Sequence, residues 1–327
     1  MEKLIPIVER LKREEKDILV FTHENPDGDG IGSMIALYLF LKKAGKNVTM
    51  AMKDNVPYVY NFLPNIDDIK KLPINHKFSV AILVDAAHRK RCGTDIYSDE
   101  LIRIDHHVGG EFESIYDYVD DYSPSTTAVV TEILRSWDES LIDKDIATCL
   151  YTGLITDTGS FRYNNTTSKT FEIAKFLTEK GADPSYISKM IFERNKVNVL
   201  KLLQKTLSTL ELYNNNQIAV LTVFREFLRE TNTSEEDTEG FVDFAKSIEG
   251  VKVAVIMIQR EDLKTWRVSL RGKGDVDVQE IAKSFGGGGH KDAAGCRIVG
   301  DYQEVKEKLV DRITKSLNKV EIESLTV

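Results

Sequence analysis

The sequence predicts an α/β protein: an N-terminal domain on a largely parallel sheet, a helical linker, and a smaller C-terminal α/β domain with a mixed sheet. Three observations predict it. Short apolar runs rich in β-formers alternate with helical patterns through the first half, which is the pattern of a parallel sheet. The character changes near Ser185, where a long helical stretch begins, and strands resume beyond Tyr213. At 327 residues the chain is also long for one core. The expected division is 1–185, a linker at 186–213, and 214–327.

The elements follow in order. Residues 1–16 are charged and lack the apolar core of a signal peptide. Residues 18–21 read as a strand and 30–43 as a helix, with Gly45 just past its end. Strands are expected at 48–52, 80–84 and 102–104, then helices at 126–137, 145–155 and 168–180, the last stopped by Gly181. Residues 186–212 read as one helical stretch in which Val197, Leu200, Leu203, Leu207 and Leu210 form an apolar stripe. Further strands are expected at 218–223, 251–258 and 266–270, and helices at 237–247, 278–285 and 302–317. Residues 231–239 are polar and acidic, as in a solvated loop.

Composition excludes some functions. A net charge of −8 argues against binding long duplex nucleic acid, which needs a basic footprint. No segment approaches the roughly 20 apolar residues of a membrane span. Cys92, Cys149 and Cys296 are far apart, odd in number and in no Cys-x-x-Cys pair, as expected for reduced thiols in a cytoplasmic protein.

The chemistry-bearing residues gather where predicted strands end. His23-Glu24-Asn25-Pro26-Asp27-Gly28-Asp29 follows one apolar run, Asp85 a second, and Asp105-His106-His107 a third, while Asp157 lies downstream in Thr156-Asp157-Thr158-Gly159. In an open α/β sheet such ends converge on one crevice. Asn25-Pro26-Asp27-Gly28 has the chemistry of a plain turn. It is not a calcium loop, because Ile31 and Tyr38 stand at ligand positions. Nor is it a good dinucleotide fingerprint, because Ser33 replaces the third glycine and the acids would face a pyrophosphate. Glycines at 28 and 30 are read as letting the backbone fold tightly enough for His23, Asp27 and Asp29 to face one centre. Carboxylates mixed with imidazoles suit Mn²⁺ or a similar divalent ion, and several carboxylates suit a pair. Asp105 is expected to orient a histidine, and His107 to contact phosphate or donate a proton. His76 and His88 lack this context and read as surface residues.

Taken in order on these elements, the motifs resemble the DHH phosphoesterase family over nearly the whole chain. The resemblance implies two Mn²⁺ ions, one on His23, Asp27 and Asp85, the other on Asp29, Asp85, His106 and Asp157. Asp85 would then bridge the ions and serve catalysis with His107 and Asp105. The run Ser284-Phe285-Gly286-Gly287-Gly288-Gly289-His290, followed by Ala293-Ala294-Gly295, resembles the family's associated C-terminal substrate domain. Four successive glycines have no side chains to pack, so Gly287, Gly288 and Gly289 are read as backbone for close approach to a phosphate or base. With the resemblance, Arg271 becomes a phosphate clamp beside His290.

The compact two-domain form is similar to nanoRNases that also dephosphorylate pAp, and equally to phosphodiesterases acting on cyclic di-AMP or pApA. The expected function is Mn-dependent hydrolysis of short nucleotide phosphoesters to mononucleotides, with a pAp 3′-phosphatase as the alternative within the enzyme class. A non-catalytic nucleotide-sensing module is disfavoured because no metal ligand is missing. An NAD-dependent dehydrogenase is disfavoured because no acidic residue ends the second strand in good context. A homodimer is what the resemblance implies for assembly.

Overall fold

Residues 17–21 are apolar after the first position and have a β-branched majority at their core, and they form β1 (Asp17–Phe21), buried from Ile18 onward. The structure, a computed structural model, describes residues 4–107, 109–110, 114–289 and 291–325. Its contacts divide the chain into two units, Met1–Arg194 and Asn195–Val327.

In the first unit, α1 (Ile5–Arg13) precedes β1, followed by α2 (Gly28–Lys43), β2 (Asn47–Met52), β3 (Lys70–Lys71), β4 (Phe78–Val84), β5 (Ser98–Asp105) and β6 (Tyr118–Val119). Helices α3 (Thr126–Asp138), α4 (Lys144–Asp157), α5 (Ser168–Glu179) and α6 (Pro184–Phe192) complete it. The sheet order is β3-β2-β1-β4-β5-β6, and every pairing is parallel. Central strands are covered on both faces, so their apolar runs are nearly continuous rather than alternating. Ile18, Val20, Ile82 and Ile104 pack under the helices, while Leu19, Phe21, Ala81 and Leu83 face a smaller core with Cys92 and Ile96. The chain order reverses between β1 and β4, and the carboxyl ends of strands at such a switch point frame a crevice.

The second unit comprises α7 (Val197–Leu207), β7 (Glu211–Tyr213), β8 (Ile218–Val223), α8 (Arg225–Thr231), α9 (Phe241–Lys246), β9 (Val253–Gln259), β10 (Thr265–Gly272), α10 (Val278–Lys283), β11 (Gly288–Gly289), β12 (Ala293–Val299) and α11 (Tyr302–Leu325). Its sheet runs β11-β12-β10-β9-β8-β7 and is mixed: β8 and β9 are parallel and the other pairs antiparallel. Trp266, Val268 and Leu270 pack with Ile281 of α10 and Leu309 and Ile313 of α11 on one face. Ala219, Leu221, Ala254 and Ile256 meet Leu202 of α7, Leu228 of α8 and Phe241 of α9 on the other. Among the described residues no helix is long and apolar enough to cross a membrane.

The structure corrects three expectations. The stretch 186–212 is two helices, interrupted at 193–196, followed by the start of β7: Ile187 of α6 belongs to the first core and Leu202 of α7 to the other unit's. The proposed stripe is not the buried face of α7, since Leu202 and Thr206 are buried while Val197, Leu200 and Leu207 are exposed. Gly28 and Gly30 are not turn residues but the first turn of α2, and what they supply is space. A Cβ on Gly30 would lie 2.5 Å from Thr22 Oγ1, 3.2 Å from Asp85 Oδ2 and 3.3 Å from His23 Nε2.

Candidate metal centre

Four element ends supply the acidic and imidazole groups. His23 follows β1, Asp85 follows β4, Asp105 ends β5 with His106 and His107 next, and Asp157 is the last residue of α4. The Thr22 hydroxyl donates to the Val84 carbonyl at 3.1 Å, tying the ends of β1 and β4 together. Asp27 caps α2: its Oδ1 accepts from the N–H groups of Asp29 and Gly30, both at 3.1 Å. Asp29, in that helix's first turn, meets the N-terminus of α3. Its Oδ2 accepts from Thr126 N at 2.6 Å, and its Oδ1 from Thr127 N at 2.8 Å and Thr127 Oγ1 at 2.7 Å. A helix N-terminus favours such an anion. Asp85 is buried, has φ +61°, and accepts from Thr126 Oγ1 at 2.9 Å.

The histidines are oriented by what they bind. His23 Nδ1 lies 2.8 Å from the Glu24 carbonyl oxygen and His106 Nδ1 3.3 Å from that of Ser123. A carbonyl only accepts, so each Nδ1 carries a proton and each Nε2 is left to face the site. Those Nε2 atoms face carboxylates: His23 Nε2 is 3.4 Å from Asp85 Oδ2, and His106 Nε2 is 3.3 Å from Asp157 Oδ2 and 3.9 Å from both Asp29 and Asp85. Imidazole nitrogens and carboxylate oxygens this close need a proton or a metal cation among them. Burial, joined by the neighbouring aspartates, pushes the carboxyls of Asp85 and Asp157 well above the usual range. Burial also lowers the His23 imidazole, keeping it neutral and able to act as a ligand. Three sets of donor atoms lie within 4.8 Å of one another: His23, Asp27, Asp85; Asp29, His106, Asp157; and Asp85, His106, His107. The donor set therefore fits divalent ions.

Asp105 is placed differently. It is fully buried, and its Oδ1 accepts from the N–H groups of His106 at 2.8 Å and His107 at 3.2 Å, and from His107 Nδ1 at 2.8 Å. Its Oδ2 takes Arg103 Nε at 3.1 Å and Nη2 at 2.9 Å. Burial opposes its ionisation, but the bond from His107 and the nearby Arg103 hold the carboxyl below its ordinary value. It positions His107 rather than facing the crevice. Arg103, Thr126 and Thr127 are the site residues that sequence reasoning missed. A lone arginine inside the apolar run 101–104 was the available signal, since a buried charge must be paired. His76 and His88 are exposed, the former paired with Asp17.

In the second unit, Arg271 is half-buried on β10 and its Nη1 donates to its neighbour Leu270's carbonyl at 3.2 Å. Packing explains two of the four glycines, contrary to expectation. A Cβ on Gly287 would lie 2.1 Å from the Gly295 carbonyl oxygen, and one on Gly289 2.5 Å from that of Ala293. A Cβ on Gly288 would meet nothing. His290 lies outside the described residues.

Residues 17–154 match the model of the DHH family N-terminal domain, and residues 215–319 match the DHHA1 domain. The bifunctional oligoribonuclease and PAP phosphatase NrnA of Thermus thermophilus is 30% identical, covering 97% of this chain and 95% of its own. This chain belongs to the DHH family. A second DHH relative, the cyclic-di-AMP phosphodiesterase GdpP of Bacillus subtilis, is 28% identical over 90% of this chain, which spans 47% of that longer protein. The crystal structure of an exopolyphosphatase-related protein from Bacteroides fragilis superposes with a TM-score of 0.88 at 26% identity, covering 96% of both chains. The DHH and DHHA1 matches fall on the parallel-sheet unit and the mixed-sheet unit respectively.

Proposed function

We propose that this chain is a Mn²⁺-dependent phosphodiesterase that hydrolyses short nucleotide phosphoesters, such as pApA and other short oligoribonucleotides, to mononucleotides. The observation that carries this reading is the pair of imidazoles, each pinned at Nδ1 and aimed through Nε2 into a cluster of aspartates of which Asp29 and Asp85 are buried. Residues 1–185 would carry the chemistry, 214–327 would bind substrate, and 186–213 would join them.

His23, Asp27 and Asp85 would hold one ion, and Asp29, Asp85, His106 and Asp157 the other, with Asp85 shared. Bound ions lower the pKa of water, neutralise a phosphate and stabilise a leaving oxygen. The chain's own groups do the rest. Asp29 is fixed by the α3 N-terminus, so its carboxylate needs no reorganisation on binding a cation. His107, held by ionised Asp105, is positioned to contact the phosphate or to donate a proton to the leaving group. Arg271, Gly287, Gly288, Gly289 and His290 would grip the far end of the substrate. A pAp 3′-phosphatase activity in the same site is the second reading, favoured because the Thermus relative's name pairs the two activities. Three unpaired, buried cysteines support a reducing compartment such as the cytoplasm, and a homodimer is part of the proposal.

A hydrolysis panel of pAp, pApA, a five-residue oligoribonucleotide, cyclic di-AMP and an aryl phosphodiester, run on wild type and Arg271→Ala, tests the reading. The expected result is turnover of the short nucleotides, with kcat/KM falling about ten- to a hundredfold in the variant on those substrates. The aryl ester, which offers no second phosphate, should change little. Turnover of none of the nucleotides, or equal losses on all substrates, would reject it.

A further inference from the structure

Alternation along β10 puts Thr265, Arg267, Ser269 and Arg271 on one face and buries Trp266, Val268 and Leu270 on the other. On β12, Arg297 pairs directly with Arg267, Gly295 with Ser269, and Ala293 with Arg271. Arg267 and Arg297 are exposed. Like charges directly opposite each other weaken a ladder. Among the described residues neither Arg267 nor Arg297 has a hydrogen-bond or ion-pair partner, although Glu236 lies near enough to Arg267 to feel its charge.

Two further features point to a ligand. The floor between the arginines of β10 is made of Ser269, Ala293 and Gly295, small enough for a planar or extended chain to lie against the sheet. At the end of the same strands is a cavity of about 560 Å³ lined by Glu235, Arg260, Glu261, Asp262, Thr265 and Arg297. Two of its acids are paired with arginines, and the third, Asp262, is held by neutral donors and keeps its charge. Glu235 takes Arg260 at 2.7 Å, Glu261 takes Arg225 at 2.8 Å, and Asp262 accepts from Lys264 N, Thr265 N and Thr265 Oγ1. The guanidinium of Arg297 is the lining cation left to meet an incoming anion.

We propose that this face carries a phosphate site centred on Arg297, beside Arg267, that holds an additional backbone phosphate of an oligonucleotide. The site deepens the phosphodiesterase reading and rests on it for the choice of ligand. Arg267 lies four residues from Arg271, about 13 Å along a strand, so the two arginines serve different phosphates of one chain. The consequence is selection by length: substrates too short to reach Arg297 gain nothing from it. On a protein of net charge −8 such a pair of neighbouring arginines also offers an anionic chain one place to bind.

The test uses the full-length protein and its Arg297→Gln, Arg297→Lys and Arg297→Glu variants. KM and kcat are measured on pApA and on a five-residue oligoribonucleotide. Binding of a labelled five-mer is followed by anisotropy over a salt series, with Asp85→Asn added to stop turnover. Arg297→Gln should raise KM for the five-mer about tenfold and leave pApA nearly unchanged, with Arg297→Lys intermediate and Arg297→Glu worse. The slope of log affinity against log salt should fall by about 0.7, the loss of one single-strand phosphate contact. An unchanged five-mer KM, equal changes on both substrates, or an unchanged slope would overturn the proposal. If the wild type hydrolyses neither substrate, the phosphodiesterase reading fails, and the salt slope alone still decides whether Arg297 binds the chain.

Discussion

At the scale of single residues, Asp85 is where the candidate ligands meet. It is buried, in left-handed backbone at φ +61°, and within reach of His23, His106 and His107. Aspartate is one of the few residues that tolerate that backbone region, and strain of this kind persists where the surroundings over-determine it. Asparagine tolerates it too, so Asp85→Asn removes charge without removing shape. Turnover should fall by orders of magnitude, while thermal melting of the chelated protein stays level or rises because one buried repulsion is gone. Near-normal turnover would show that Asp85 is not shared between ions. Arg103 and Asp105 form a pair with 1% and 0% of their side chains exposed. Removing one partner of such a pair typically costs about 3–5 kcal/mol. Arg103→Gln should lose stability toward the lower end of that range, because the His106 and His107 N–H groups still serve Asp105. Denaturant unfolding checks it, and a change below 1 kcal/mol would contradict the pairing argument.

At the scale of elements, the site depends on how closely α2 approaches β1 and β4. Gly30→Ala suits a helix by propensity, but its Cβ would press on Thr22 Oγ1, Asp85 Oδ2 and His23 Nε2. Metal affinity measured by calorimetry should drop at least tenfold while far-UV dichroism is preserved; unaltered affinity would mean that the contact relaxes freely. Helix α1 is fastened by Arg10, which binds Glu14 at 2.9 Å and Glu100 at 2.7 Å. Burial opposes ionisation of Glu14, yet the Lys16 N–H and the Arg10 guanidinium hold its carboxyl below the ordinary value. A depressed carboxyl stabilises the fold above the unfolded pKa of about 4.3, and that contribution disappears as pH falls through the lower folded value. Glu14→Gln should therefore melt below wild type at pH 7, with the difference closing below about pH 4. A gap that persists there would assign the loss to packing.

The elements were legible where pattern and punctuation agreed: β8 lies at Ile218–Val223 as read, and α2 ends before Gly45, which has φ +78°. They were illegible where tertiary packing decides. α1 is short and charge-rich, and only Ile7, Val8 and Leu11 bury it. β12 looked like a small-residue motif, and it becomes a strand because β10 and β11 flank it. The acidic and imidazole residues of the centre stood out because their types are rare in apolar surroundings. Thr126 and Thr127 did not, because ordinary helix-start residues acquire their role only from where α3 points.

At the scale of the molecule, the proposed function has an acidic protein divide the handling of an anionic substrate between its two units. The parallel-sheet unit concentrates carboxylates at a switch point where a bound cation would relieve their repulsion, and the mixed-sheet unit carries Arg267, Arg271 and Arg297 on one sheet face. The central claim is that the clustered imidazoles and aspartates work through divalent ions. The most direct measurement is pApA hydrolysis by exhaustively chelated protein, before and after adding back Mn²⁺ or Mg²⁺. The account predicts no turnover without metal and fuller recovery with Mn²⁺, because imidazole ligands favour it over Mg²⁺. Full activity in the chelated protein would contradict it.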